Sequence, residues 1–131
     1  MTDRTEKVKA GIFVLITAVL LLTLLVLVAG LRIFPDEAGK MNRSLLDTAG
    51  SALVVSQFTL AASLRKGRRP SFDRSEAPAL ARQLVDRVAS RLEAEGVSVA
   101  TGRFGAHMEV ELVNDGPVTW ILDVRDGRVR D

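Results

Sequence analysis

From Ala10 to Leu31 the chain carries no charged side chain, and only Thr17 and Thr23 interrupt the apolar run. A helix rising about 1.5 Å per residue crosses a hydrocarbon core of ~30 Å in about 20 residues. The run therefore predicts one transmembrane-type helix over roughly Lys9 to Leu31. Arg4, Lys7 and Lys9 precede it, which also suits a signal peptide. The run is longer than the apolar core of such a peptide, however, and Val28-Ala29-Gly30 is a poor cleavage site. A helix buried in a protein core is the third reading, and it needs protein cover on every side.

The pattern then shortens. Pro35 to Lys40 reads as a turn and Met41 to Asp47 as a short strand ended by Thr48-Ala49-Gly50. Ala52 to Leu60 reads as a strand. Ser56, Phe58 and Leu60 then share one face, with Val55, Gln57 and Thr59 on the other. Polar groups at the end of a buried strand must be hydrogen-bonded. They either position a substrate or bond a neighbouring strand or loop.

Leu80, Leu84, Val88 and Leu92 recur at i+4 beside Ala77, Ala81 and Val85, which predicts an amphipathic helix from Glu76 to Glu95. Ser75 suits its N-cap, Pro78 its first turn and Gly96 its C′ position. Arg82–Asp86 and Arg91–Glu95 are spaced to pair on its wet face. Val97, Val99 and Thr101 alternate as a strand, and Gly102 to Ala106 is a glycine-rich loop. Met108–Val113 and Val118–Val124 read as two more strands around an Asn114-Asp115-Gly116-Pro117 turn. Asp126-Gly127 is a further turn before a loose charged end. There is no internal repeat.

At 131 residues the chain allows one ordinary domain. The net charge is only +2, but four of the six residues from Arg65 to Pro70 are basic. Without Cys there is no disulfide and no thiolate nucleophile or ligand. One His and scattered carboxylates show no metal-ligand spacing, so no metal or other cofactor is expected. Runs of Lys and Arg are usually just solvated, but Arg65, Lys66, Arg68 and Arg69 also suit phosphate oxygens.

SQFTL (56–60), KGRRPSF (66–72) and NDGPVT (114–119), with LRIFPDEAGKMN (31–42) and GRFGAHM (102–108), resemble the D-aminoacyl-tRNA deacylase family in the same order. The likeness runs from Leu31 to about Asp123. Residues 7–30 resemble the N-terminal membrane anchor of mammalian-cell-entry (MCE) lipid-transport proteins. The implied organisation is a transmembrane-type segment, 1–30, followed by a deacylase-like domain, 31–131. Family members begin with strands ahead of the LRIF segment and carry an N-terminal Arg that supports the Gly-Pro pair. On this reading the domain is incomplete at its N-terminus.

The deacylase resemblance implies an α/β fold of mixed β-sheets with a helix layer, working as a homodimer in the cytoplasm. It implies hydrolysis of the ester of D-aminoacyl-tRNA. Ser56, Gln57, Phe58 and Thr59 would form the catalytic stretch, with backbone N–H groups near Phe58 as oxyanion donors. Gly116-Pro117 would be a cis pair inserted into the partner subunit's site, where its carbonyls clasp the α-ammonium group and exclude L-residues. Arg65, Lys66, Arg68 and Arg69 would meet the tRNA acceptor end. Phe104 and Met108 are either walls of an adenine pocket or core. Thr59 has no base beside it in sequence, and His107 is given no role. The anchor would attach the protein to a membrane through residues 10–31. The rival function is a non-enzymatic, membrane-tethered accessory of a lipid-transport system, or an inactive fusion remnant.

Overall fold

The computed structural model describes residues 28–125 and 128–130. Among the described residues it is a mixed α/β arrangement of three two-stranded sheets and one long helix. The elements are β1 (Phe34–Pro35), β2 (Met41–Arg43), β3 (Ser51–Val54), α1 (Pro78–Ala94), β4 (Ser98–Thr101), β5 (Asp123–Arg125) and β6 (Arg128–Arg130). β1–β2 and β5–β6 are antiparallel hairpins, and β3 and β4 are parallel.

Local side-chain bonds make the two N-terminal turns. Asp36 Oδ1 accepts from the N–H groups of Ala38 and Lys40, both at 2.9 Å, and Oδ2 accepts from the Asn42 amide at 2.7 Å. The Asn42 bond, then those main-chain bonds, hold the Asp36 carboxyl below its ordinary range. β2 stops at Arg43, short of the expected Asp47. Asp47 Oδ2 accepts from both the N–H and the hydroxyl of Ser44, each at 2.8 Å, and the Ser44 hydroxyl takes the Asp47 N–H in return at 3.1 Å. This reciprocal pair diverts the backbone from the ladder and turns Leu45 into the core.

α1 closes the crossover between β3 and β4. It starts at Pro78, two residues later than the pattern predicts, with Ala77 as its N-cap and no side-chain cap bond. Ser75 instead donates to the Phe58 carbonyl oxygen at 3.5 Å. Gly96 follows the helix at φ +92°, a left-handed position that an L side chain resists. Arg91 and Glu95 pair at 2.9 Å. The other expected pair, Arg82–Asp86, is not made among the described residues; Arg82 lies over Phe104.

The buried face of α1, through Val88 and Leu92, packs on Ala29, Leu45 and Val97, with Phe34, Ala52, Val54 and Val99 around them. Val28 packs with Val124 and Leu122. Residues 28–30 are helical, and Val28 and Ala29 are only 2% and 1% exposed. The described end of the apolar run is therefore covered by protein. The rest of the expected membrane span, Lys9 to Leu27, lies outside the described residues. Among those described, no helix is long and apolar enough to cross a membrane.

The two strands expected at Met108–Val113 and Val118–Val124 do not form as such; only Asp123–Arg125 enters a ladder, with Arg128–Arg130. Alternation sets which side chains share a face, but a ladder also needs a neighbouring backbone. Val113 and Ile121 stand 79% and 81% exposed in this stretch.

Candidate active site at the carboxyl end of the parallel pair

β3 and β4 run in register from Ser51 opposite Ser98 to Val54 opposite Thr101. The Gly102 N–H continues the ladder onto the Val54 carbonyl at 2.9 Å. Both strands therefore deliver their next residues to the same end, which is where α/β sheets gather ligand-binding loops. The residues delivered are Ser56–Thr59 after β3 and Gly102–Ala106 after β4.

The stretch expected to be catalytic, Ser56–Thr59, is not the end of a strand. β3 stops at Val54, and Phe58–Ala61 is a single 3₁₀ turn. The expected alternation of Ser56, Phe58 and Leu60 against Val55, Gln57 and Thr59 does not apply there. The Gln57 amide donates to the Thr59 hydroxyl, and the Ala62 N–H donates to the Thr59 carbonyl at 3.1 Å. Polar side chains that bond locally compete with a ladder. Ser56 is half-buried, while Gln57, Phe58 and Thr59 are exposed.

The basic segment is the tip of a short hairpin. Ser63 and Ser71 exchange N–H···O bonds of 2.8 and 2.9 Å, and Gly67 turns the tip at φ +91°. Arg65, Lys66, Arg68 and Arg69 are all exposed on it. The hairpin is fixed beside the 3₁₀ turn by an edge-to-face contact between Phe58 and Phe72, with centroids 4.9 Å apart.

Met108 and Phe104 take different places. The Met108 sulfur accepts the Arg103 N–H at 3.2 Å and closes over Gly102. A Cβ at Gly102 would meet Met108 Sδ at 3.1 Å and Val55 Cγ1 at 3.5 Å, so this loop lies against the residue preceding Ser56. Phe104 lies under the Arg82 guanidinium. With Arg82, Asp86, Arg103 and the small residues 102, 105 and 106, it lines an open cleft of about 400 Å³. Arg82, Asp86 and Arg103 are not singled out as site residues by the sequence. Helical spacing pairs Arg82 with its own helix and gives no sign of a loop some twenty residues on.

The Gly116–Pro117 peptide bond is cis. Gly116 is exposed on a bend, and among the described residues no hydrogen bond or ring contact joins the pair to Ser56–Thr59. A Cβ on Gly116 would stand 2.6 Å from the Val118 nitrogen and 2.8 Å from the Asn114 amide nitrogen. His107 is exposed. Among the described residues no three His, Asp or Glu side chains are grouped to hold a metal ion.

Known proteins are similar to this chain in sequence or in fold. The profile of the family described as D-Tyr-tRNA(Tyr) deacylase matches residues 3–123. That match begins well before Leu31 and takes in residues 7–30, likened above to an MCE anchor. A D-aminoacyl-tRNA deacylase of Thermomicrobium roseum is 71% identical over 96 residues, 73% of this chain and 62% of the relative. Those of Ruegeria pomeroyi and Symbiobacterium thermophilum are 60% and 59% identical, over 74% and 73% of this chain and 67% and 64% of their own lengths. The chain thus spans about three fifths to two thirds of the length of these relatives. Among solved structures, the c-Myc DNA Unwinding Element Binding Protein superposes with a TM-score of 0.68 at 33% identity, covering 83% of this chain and 74% of that one. The chain belongs to the D-Tyr-tRNA(Tyr) deacylase family.

Proposed function

We infer that this chain carries the ester-hydrolysing site of a D-aminoacyl-tRNA deacylase. The observation that carries the reading is the position of Ser56–Thr59 at the end of the parallel pair, tied through Phe58 and Phe72 to a basic hairpin. The hairpin's four cations meet the phosphates of the acceptor end, which gives affinity and salt dependence without reading bases. The 3₁₀ turn then lies where the terminal aminoacyl-adenosine ends. Ser56 and Gln57 orient it.

Water is the nucleophile. It adds to the ester carbonyl, and the opening N–H groups of the 3₁₀ turn, at Phe58 and Thr59, are the donors for the resulting oxyanion. Collapse breaks the bond to the ribose oxygen, which takes one proton of the attacking water and leaves as the tRNA hydroxyl; the second proton goes to solvent and the D-amino acid departs as its carboxylate. The Thr59 hydroxyl accepts from the Gln57 amide, and among the described residues no base is hydrogen-bonded to it to make it a nucleophile. Gly116-Pro117 acts across a homodimer, presenting its carbonyls to the α-ammonium group in the partner's site. The exposure of Gly116 supports that role. A tRNA substrate puts the reaction in the cytoplasm.

The test is the ester half-life of matched D- and L-aminoacyl-tRNA with the full chain. The D ester should be cleared well above the buffer rate and the L ester left. No acceleration of either would sink the reading. A lipid-transport accessory would show neither hydrolysis nor salt-sensitive tRNA binding.

A further inference from the structure

The open cleft beside the parallel pair has chemistry of its own. Arg82 and Asp86 stand one turn apart in the N-terminal half and middle of α1; Arg103 and Phe104 come from the loop after β4. The Arg82 guanidinium carbon stands 5.3 Å from the centroid of the Phe104 ring. An aromatic ring with one guanidinium over it, and a second arginine lining the same cleft, suits one ligand class above others. Bases stack on rings and on guanidinium planes, and guanidinium forks take phosphate oxygens. Residues 102, 105 and 106 are small, which leaves the floor open to a flat ligand. The volume of about 400 Å³ lies in the range of small-ligand pockets and accepts a single nucleotide, not a duplex.

Position ties the cleft to the catalytic turn. The Gly102 N–H is bonded to the Val54 carbonyl, so the cleft's loop starts alongside the residues that lead into Ser56. A ligand in the cleft is therefore a neighbour of whatever Ser56–Thr59 hold. The hairpin tip is a separate element, closed on itself by Ser63 and Ser71.

We propose that the Arg82–Arg103–Phe104 cleft binds the nucleotide that precedes the terminal one in a single-stranded RNA 3′ end. Its base stacks on Phe104, and its phosphate lies on Arg82 and Arg103. Among the described residues Asp86 is the one carboxylate lining the cleft, and it opposes the bound phosphate. The RNA is identified through the deacylase reading; the nucleotide chemistry comes from the cleft itself.

The experiment measures binding of a 5′-labelled single-stranded RNA ending in CCA to the full chain by fluorescence anisotropy, over a series of salt concentrations. Arg82→Gln and Arg103→Gln should each weaken binding about fivefold and lower the salt slope by about one. Phe104→Leu should weaken it about tenfold with the slope unchanged. Asp86→Asn should tighten binding about twofold, a gain that misfolding does not produce. An RNA that fails to bind the parent chain, or binds all four variants as it binds the parent, overturns the proposal. Turnover of D-aminoacyl-tRNA is scored separately. Turnover with unaltered RNA binding in the variants removes the cleft and keeps the deacylase; RNA held by the cleft without turnover removes the deacylase and keeps the cleft.

Discussion

Phe58 and Phe72 meet edge to face, with ring centroids 4.9 Å apart and planes at 66°. Phe58 opens the 3₁₀ turn of the candidate site, and Phe72 follows the closing residue of the basic hairpin. The contact therefore sets the hairpin's position relative to the turn. An aromatic pair of this geometry contributes about 0.5–1.5 kcal/mol beyond its burial. Phe72→Ala removes the half-buried ring's burial as well, so it should lower unfolding stability by more than that in a urea titration. It should raise KM for D-aminoacyl-tRNA more than it lowers kcat, because the hairpin cations lose their alignment. Phe72→Leu should recover part of the stability and little of the KM.

Gly116→Ala meets an obstacle that cannot move aside cheaply. The added Cβ would lie 2.6 Å from the Val118 main-chain nitrogen, so the backbone of the bend must shift. A displacement of about 1 Å in a positioning element costs ~10²-fold in rate. Hydrolysis of D-aminoacyl-tRNA by this variant should fall by about that factor. Removing the Asn114 amide as well, in the Gly116→Ala/Asn114→Ala double variant, should not restore it, since the main-chain contact remains. Full activity in the single variant would show that the bend stands away from the chemistry.

Thr59→Ala should keep hydrolysis within about tenfold of the parent, as expected when a positioning hydroxyl and not an attacking group is lost. Rapid quenching of the parent reaction should trap no acyl-enzyme. An ester on Thr59, or a fall to the buffer rate in the variant, would reinstate a covalent route.

The Ser44–Asp47 turn predicts an acid limb in stability. The main-chain and hydroxyl bonds from Ser44, aided by Arg32 and Arg43, hold the Asp47 carboxyl below its ordinary value of 3.8. A depressed folded-state value stabilises the fold above the unfolded-state value. That contribution is lost as pH falls through the folded one. Melting temperature should therefore drop as the solution is acidified below about pH 4. Asp47→Asn should flatten part of that drop, with Asp36 supplying another share through its own turn.

Much of this fold was readable in the sequence because long-period patterns survive tertiary context. The i+4 recurrence of Leu80, Leu84, Val88 and Leu92 placed α1 within two residues of its start, and Gly96 marked its end. The Gly116-Pro117 bend was likewise legible, as turn chemistry. What the pattern missed is where a strand ceases to be one. An apolar run carries no signal of its own ending: Leu53-Val54-Val55 passes smoothly into Ser56, and local bonds from Gln57 to Thr59 and from the Ala62 N–H to the Thr59 carbonyl turn the chain into a 3₁₀ segment. The same holds at Ser44, where a hydroxyl and a carboxylate three residues apart close a turn inside an apparently continuous strand. Met108–Val113 shows the converse, alternation without a partner backbone among the described residues. Arg82 and Phe104 were both visible as residue types, but their meeting depends on how α1 crosses the parallel pair, which no local spacing encodes.

That crossing also governs the order in which the molecule assembles. β3 and β4 pair directly, yet the 3₁₀ turn, the basic hairpin and all of α1 lie between them along the chain. The β1–β2 and β5–β6 hairpins close through near neighbours, whereas the β3–β4 ladder must wait for the ends of a long loop to meet. Closing that ladder is the costly step, so its contacts belong to the folding barrier. Stopped-flow refolding should show Val99→Ala in β4 slowing folding more than it speeds unfolding. Substitutions in the β1–β2 turn, which the ladder does not need in order to close, should do the reverse. The loops that build the candidate site hang from the far end of this ladder, so they gain their relative positions only once the barrier has been crossed.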